Sequence, residues 1–412
     1  MKESGYMTKF KRLSLRILAV LVLGGALYAC SENSGYDARL KTIESNKDEL
    51  VIALAWPLER EGRGTKMTIL DGASLAMNEI NAAGGLKDGR KIVLKPFDDE
   101  RKIDKGLIEA ERIAEDKSIF AVIGHLDSYI SLDTSTTYEV SGLLVLNPGS
   151  TDARLTKKGH KHLFRLVPKN DEQGEALANY FKDNGISKVL LYSINNAYGH
   201  ALAKSFSARA RASGVDIITS EKYYRNSAEH RENFEYWEQF FDFDAIFLAG
   251  SMPEGADIIR IIRETGIDEP IFAGAGLDST SLIDLGGQSV EDVNVISFFP
   301  LGFSQESSNL DPGNLDSQKI TAFSNAYEAA YEEPPVESAA ALGYDAVKLI
   351  AHAVNTAGTL ERGAVAKVIR DQQGWLGVAG QYKFDDGGDP LGKLMVINKV
   401  KDGEFRFSER IQ

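Results

Sequence analysis

Apolar and polar positions along this chain fall into blocks that fit buried strands and one-sided helices. Residues 50–56 form a continuous apolar run ending at Pro57, the pattern of a strand covered on both faces. Ile69, Leu70, Ala73, Ala76, Met77 and Ile80 then lie on one helical face, and Gly84-Gly85 offers the left-handed conformation that ends a helix. Residues 91–97 read as a second strand. Ile103, Leu107, Ala110 and Ala114 mark a second helix, and 119–123 and 142–146 mark two more strands. Such alternation predicts a parallel sheet with helices on both faces. The pattern then restarts, with short strands at 188–192, 215–219, 245–249 and 271–273 and helices near 171–184, 197–213, 231–241 and 254–265. A second doubly wound lobe explains this better than one sheet of about ten strands. Helices at 319–331 and 337–354 flank Pro334-Pro335, 304–316 reads as a loop, and from Gln381 the chain reads as a hairpin around Asp385-Asp386-Gly387-Gly388.

Composition narrows the function classes. A chain of 412 residues suits two or three domains, and 43% hydrophobic with 26% charged residues excludes global disorder. One cysteine excludes a disulfide framework or a Cys-rich zinc site. A formal charge of −13 argues against a broad nucleic-acid surface. No Gly-Lys-Ser/Thr phosphate loop, complete dinucleotide fingerprint or Gly-x-Ser-x-Gly elbow occurs, so neither an enzyme nor a cofactor is expected. His160-Lys161-His162 lacks a third ligand, so no metal site is expected either.

The single cysteine has a telling position. Lys9, Lys11, Arg12 and Arg16 precede an apolar run from Ile17 to Ala29, too short for a spanning helix but suited to an export signal. The run ends Leu27-Tyr28-Ala29-Cys30, which resembles a bacterial lipoprotein box and implies acylation of Cys30 and an extracytoplasmic location at a bacterial membrane. Loss of residues 1–29 removes five cations and one anion, taking the charge to −17. Residues 30–48 are polar and read as a lipidated, flexible tether.

From about residue 50 to 400 the chain resembles type I periplasmic solute-binding proteins, most closely the branched-chain amino acid receptors. The resemblance rests on Asp71-Gly72-Ala73, Asn78 to Gly85, Asp98-Asp99, Ile123-Gly124-His125-Leu126, Asn147-Pro148-Gly149-Ser150-Thr151, Phe164-Arg165, Ala197-Tyr198-Gly199 and Phe384-Asp385, in that order. It implies two α/β lobes, 49–166 with 300–375 and 167–299 with 376–412, joined by crossings near 166–169, 296–300 and 376–389. A hinge motion would close them on a ligand. It further implies a monomeric receptor that passes a small solute to an ABC importer. A sensor that presents its ligand to a signalling or chemotaxis receptor is the alternative.

Gly124 to Tyr129 precedes a helix, whose free N–H groups suit a carboxylate. In the resembling family Ser128 and Thr151 hold the ligand carboxylate, with Tyr129, Gly149 and Ser150 beside them. The bland alternative is that Asp127, Ser128 and Thr151 merely cap helices. The resemblance places Tyr198 on the opposite wall. Trp56 either stacks on the ligand or closes the core edge. Arg60, Arg63 and Lys66 read as a solvated loop. The family's ammonium-binding acid is replaced by Gly276, with Asp278 two residues on, and Ser251 stands where an aromatic would help, so a carboxylate-bearing ligand without an ammonium group fits equally well.

Overall fold

The first apolar run forms strand β1 (Glu49–Trp56), in which seven of eight residues are buried. In this computed structural model, residues 36–58, 68–224, 230–303 and 316–412 are described. The export segment, Cys30 and the Arg60–Lys66 loop lie outside them, as does 304–315 of the predicted loop. Around β1 the first sheet has the order β2-β1-β3-β4-β5 and is parallel throughout. Its other strands are β2 (Lys91–Asp98), β3 (Ile119–Gly124), β4 (Leu144–Asn147) and the short β5 (Leu163–Arg165). Helices α2 (Thr68–Ala82), α3 (Ile103–Glu115), α4 (Ser128–Val140) and the one-turn α5 (Arg154–Lys157) connect them.

The second sheet has the order β14-β13-β10-β9-β8-β6-β7. Strands β6 (Lys188–Ile194), β7 (Asp216–Tyr223), β8 (Ala245–Ala249), β9 (Ile271–Ala273) and β10 (Asn294–Ser297) run parallel. Helices α6 (Asn170–Asp183), α7 (Ala197–Ser213), α8 (His230–Phe240), α9 (Glu254–Glu264) and α10 (Thr280–Gly286) belong to this lobe. Helix α11 (Ser317–Tyr331) and the long α12 (Ser338–Ala357), followed by α13 (Arg362–Asp371), return to the first lobe, where α12 packs on α2. The two doubly wound lobes expected from the sequence are therefore present.

Three expectations need correction. The predicted tether is helical over 36–45 (α1), and Arg39 is buried, donating to the carbonyls of Ser141 at 2.7 Å, Asp116 at 2.8 Å and Ile119 at 2.6 Å. Residues 375–390, assigned partly to the third crossing and the second lobe, pack on the first. Strands β11 (Trp375–Gly377) and β12 (Gly380–Tyr382) pair there, Asp345 of α12 accepts from the Val378 and Ala379 N–H groups at 2.8 Å, and Asp389 binds Arg165 at 2.9 Å. The terminal hairpin is β13 (Met395–Lys401) with β14 (Glu404–Ile411), which turns at Asp402-Gly403. The 385–388 segment forms a smaller turn closed by a Phe384–Pro390 bridge.

Candidate functional site

Parallel strands deliver their following loops to one edge of a sheet, the place where open α/β folds collect ligand-facing residues. Here the loops of the two sheets meet. Arg101, after β2, donates through Nη1 to the carbonyl of Met252, after β8, at 3.1 Å. Glu337, just before α12, accepts from Thr68 of the first lobe at 3.0 Å. Its other oxygen accepts from Ser279 Oγ and from the N–H and hydroxyl of Thr280 in the second lobe, at 3.1, 2.8 and 2.9 Å.

On the first wall, Asn147 at the end of β4 organises two loops at once. Its Nδ2 donates to Gly124 O at 2.7 Å and Ser131 Oγ at 3.0 Å, while its Oδ1 accepts from Ser150 N at 2.6 Å. Gly149 is needed for this close approach, since a Cβ there would lie 2.5 Å from Leu126 Cα. Beneath them, buried His125 pairs with Asp99 and with Tyr138, both at 2.7 Å, which fixes the start of α4. Arg165 is fully buried and donates to Ser150 O, to Asp152 O at 2.8 Å and to Thr156 Oγ1 at 3.2 Å, holding the 150–152 segment.

Asp127 is the N-cap residue of α4, yet its carboxylate makes no cap bond. Both of its oxygens accept from Arg101, at 2.9 and 2.8 Å. This removes one objection to an anion here, because the carboxylate is neutralised locally and drawn off the helix start. Ser128 begins α4 and is half-buried, and Ser150 Oγ is enclosed without a hydrogen-bond partner. Thr151 is buried but does not cap α5, whose N-cap residue is Ala153. Tyr129 is exposed and donates to Arg101 O at 2.6 Å, so it braces Arg101. Trp56 is buried within the large apolar core cluster, which favours the core-edge alternative.

On the second wall, Tyr198 is half-buried at the start of α7, and its hydroxyl accepts from Gly276 N at 2.9 Å. Ser251 is half-buried after β8. Asp278 closes a single 3₁₀ turn, Ala275–Leu277, and its Oδ2 accepts from Ser297 at 2.8 Å and from Ser338 across the lobes. Part of the residue reaches solvent, but Oδ1 is enclosed without a partner. Burial, reinforced by Glu337, pushes this carboxyl up to about 7 against those hydrogen bonds.

With this geometry in place, the relatives become informative. A family model for periplasmic binding proteins matches residues 51–404. The chain belongs to the periplasmic binding protein family. Among its relatives is Leu/Ile/Val-binding protein homolog 1 of Brucella suis, 28% identical over 83% of this chain and 88% of the relative. An ABC transporter substrate-binding protein from Desulfitobacterium hafniense, solved in complex with Leu, is 34% identical with a TM-score of 0.75, covering 88% of this chain and 100% of that one. A branched-chain amino acid transporter substrate-binding protein from Streptococcus pneumoniae, solved with isoleucine, is 25% identical with a TM-score of 0.76 and the same coverage.

As a substrate-binding receptor of this family, not an enzyme, the protein has a cleft whose main organisers were hidden in sequence. Arg101 was unremarked, although the Asp98–Arg101 run at the end of β2 was a signal that this loop reaches the cleft. Tyr223, at the end of β7, was also missed. Its hydroxyl is enclosed beside Gly250 and near the Ser251 backbone. Only strand registration could have brought it next to Tyr198.

Proposed function

We propose that this periplasmic binding protein is an extracytoplasmic, lipid-anchored solute receptor. It would capture a small carboxylate-bearing ligand between its lobes and deliver it to an ABC importer. The observation that carries the reading is the start of α4. Its N-cap carboxylate is bound to Arg101, leaving the first N–H groups beside Ser128, the unpartnered Ser150 hydroxyl and Thr151. Tyr198 and Ser251 supply the opposite wall, while Asp278, tied to Ser297 and Ser338, serves closure. The relatives, whose names and complexes involve leucine, isoleucine and valine, favour acids of that size.

Thermal-shift screening of small carboxylic acids, followed by calorimetry, tests the pocket. Ser128→Ala and Thr151→Ala are each expected to weaken the best acid by about 1–3 kcal/mol per lost bond to a charged group. Unchanged binding in both variants would refute the site. The anchor is tested separately: Cys30→Ser should accumulate as unlipidated precursor, and normal lipid labelling of that variant would contradict it.

A further inference from the structure

The two walls differ in what their polar atoms offer. Tyr198 Oη accepts from Gly276 N, so its own proton remains available. Tyr223 Oη stands beside Gly250, where a Cβ would lie 2.6 Å from it, and within reach of the Ser251 backbone N–H, so its own proton is likewise uncommitted. Burial raises the pKa of both phenols, and for Tyr223 the charge of nearby Glu254 adds to the rise, so both stay protonated donors.

Asp278 Oδ1 is enclosed without a partner and Glu254 lies near Tyr223, while the other acceptors of this region are engaged. Both Asp127 oxygens serve Arg101, Gly276 O accepts from Met252 N at 3.1 Å, and Asp278 is drawn toward β10 and α12 by Ser297 and Ser338. Residues 274–277 carry no acid. Nor is there room for one at Gly276: a Cβ there would overlap Gly250 O and lie 3.1 Å from the Tyr198 ring. An ammonium group held against the 274–277 turn would lose its hydration without gaining a carboxylate from that turn, a large desolvation penalty. An oxygen acceptor would gain a hydrogen bond from Tyr198.

We propose that the ligand's second polar end is an oxygen acceptor received by the Tyr198 hydroxyl, and that the ligand class is a small carboxylic acid with a second oxygen function, of the 2-oxo acid kind. This rests on the carboxylate reading of the first wall given above. The test is a paired screen on the purified full chain: leucine, isoleucine, valine, phenylalanine and glutamate, each against its own 2-oxo acid, by thermal shift and then calorimetry. The expected result is at least tenfold tighter binding of a 2-oxo acid than of its amino acid, with Tyr198→Phe reducing that preference at least fivefold. Equal or tighter binding of an amino acid would overturn this inference while leaving the carboxylate pocket intact. A preference unchanged in Tyr198→Phe would overturn the role of the hydroxyl. Binding in neither series overturns both readings.

Discussion

Replacing Arg165 by leucine isolates the link between the stability of the first lobe and its candidate ligand wall. The guanidinium is fully enclosed, paired with Asp389 at 2.9 Å, and donates to two carbonyls and a hydroxyl of the 150–156 segment. Leucine would leave those acceptors without their donor, and Asp389 with Lys169 at 3.1 Å and the Thr156 hydroxyl. Breaking a buried pair by removing one partner costs about 3–5 kcal/mol. The orphaned neutral acceptors would add to this, but Lys169 offsets part of the loss, so about 3–5 kcal/mol is the expected total. Urea unfolding followed by fluorescence can assign the loss to one lobe. Trp56 and Trp375 report on the first lobe and Trp237 on the second. In a Trp237→Phe background the midpoint should fall by an amount matching that energy, while circular dichroism should show a second-lobe transition that stays in place. The Arg165–Asp389 contribution also has a defined pH window. Burial alone would raise the Asp389 pKa, yet Arg165 and Lys169 hold it below the ordinary value. That stability is present above the unfolded carboxyl pKa of about 3.9 and is lost as pH falls below it. A loss under about 1 kcal/mol at pH 7, or an equal loss at pH 3, would refute the reasoning.

Three further perturbations follow from the same geometry. Asp278 has a folded pKa of about 7, above its unfolded value, so between about pH 4 and 7 the folded state binds more protons and stability falls as pH rises. Asp278→Asn should therefore gain about 2–3 kcal/mol at pH 8, less than the full shift implies because the residue is partly exposed, and nothing near pH 4; urea midpoints at the two pH values check this. Arg101→Ala removes the Met252 contact across the lobes and should speed release of the acid found by screening by about 10–100-fold, since a bond to a charged group is worth about 1.5–3 kcal/mol. An unchanged dissociation rate in stopped flow would sink the closure role. Gly276→Ala forces a methyl group against Gly250 O and the Tyr198 ring and should cost about 1–3 kcal/mol of second-lobe stability, read through Trp237 fluorescence.

The lobes were legible because their strands are apolar runs between one-sided helices, a signal that survives without tertiary knowledge. Ala245–Ala249 and Ile271–Ala273 coincide with their predicted runs, and both strands are buried throughout. What failed to show has a common physical cause: polar residues whose partners are distant in sequence. Helix α1 packs through Tyr36, Leu40 and Ile43, and its anchor is Arg39, a residue type normally expected in solvent. Four carbonyls, from the ends of α3 and α4 and the start of β3, make that burial possible, at the expense of an arginine pKa lowered to about 10 by burial. The placement of 375–390 likewise depends on Asp345 and Arg165, which lie 33 and 224 residues from their partners Val378 and Asp389.

The same distinction separates the two walls of the cleft. The first wall is local: a strand end, a helix start and the Asn147–Thr151 loop follow from residue order, and the family resemblance adds the expectation of a carboxylate there. The second wall is built from three strand ends, with Tyr198 following β6, Tyr223 closing β7 and the 274–277 turn following β9. Its character comes from registration between those strands and from space, because a side chain at position 276 would overlap Gly250 O and crowd the Tyr198 ring. Position 276 has no room for a side chain, and the Tyr198 hydroxyl that accepts from Gly276 N keeps its own proton for a ligand acceptor. In the reading proposed above, ligand choice follows from the group that lines this volume, on a framework similar to that of the leucine- and isoleucine-bound relatives.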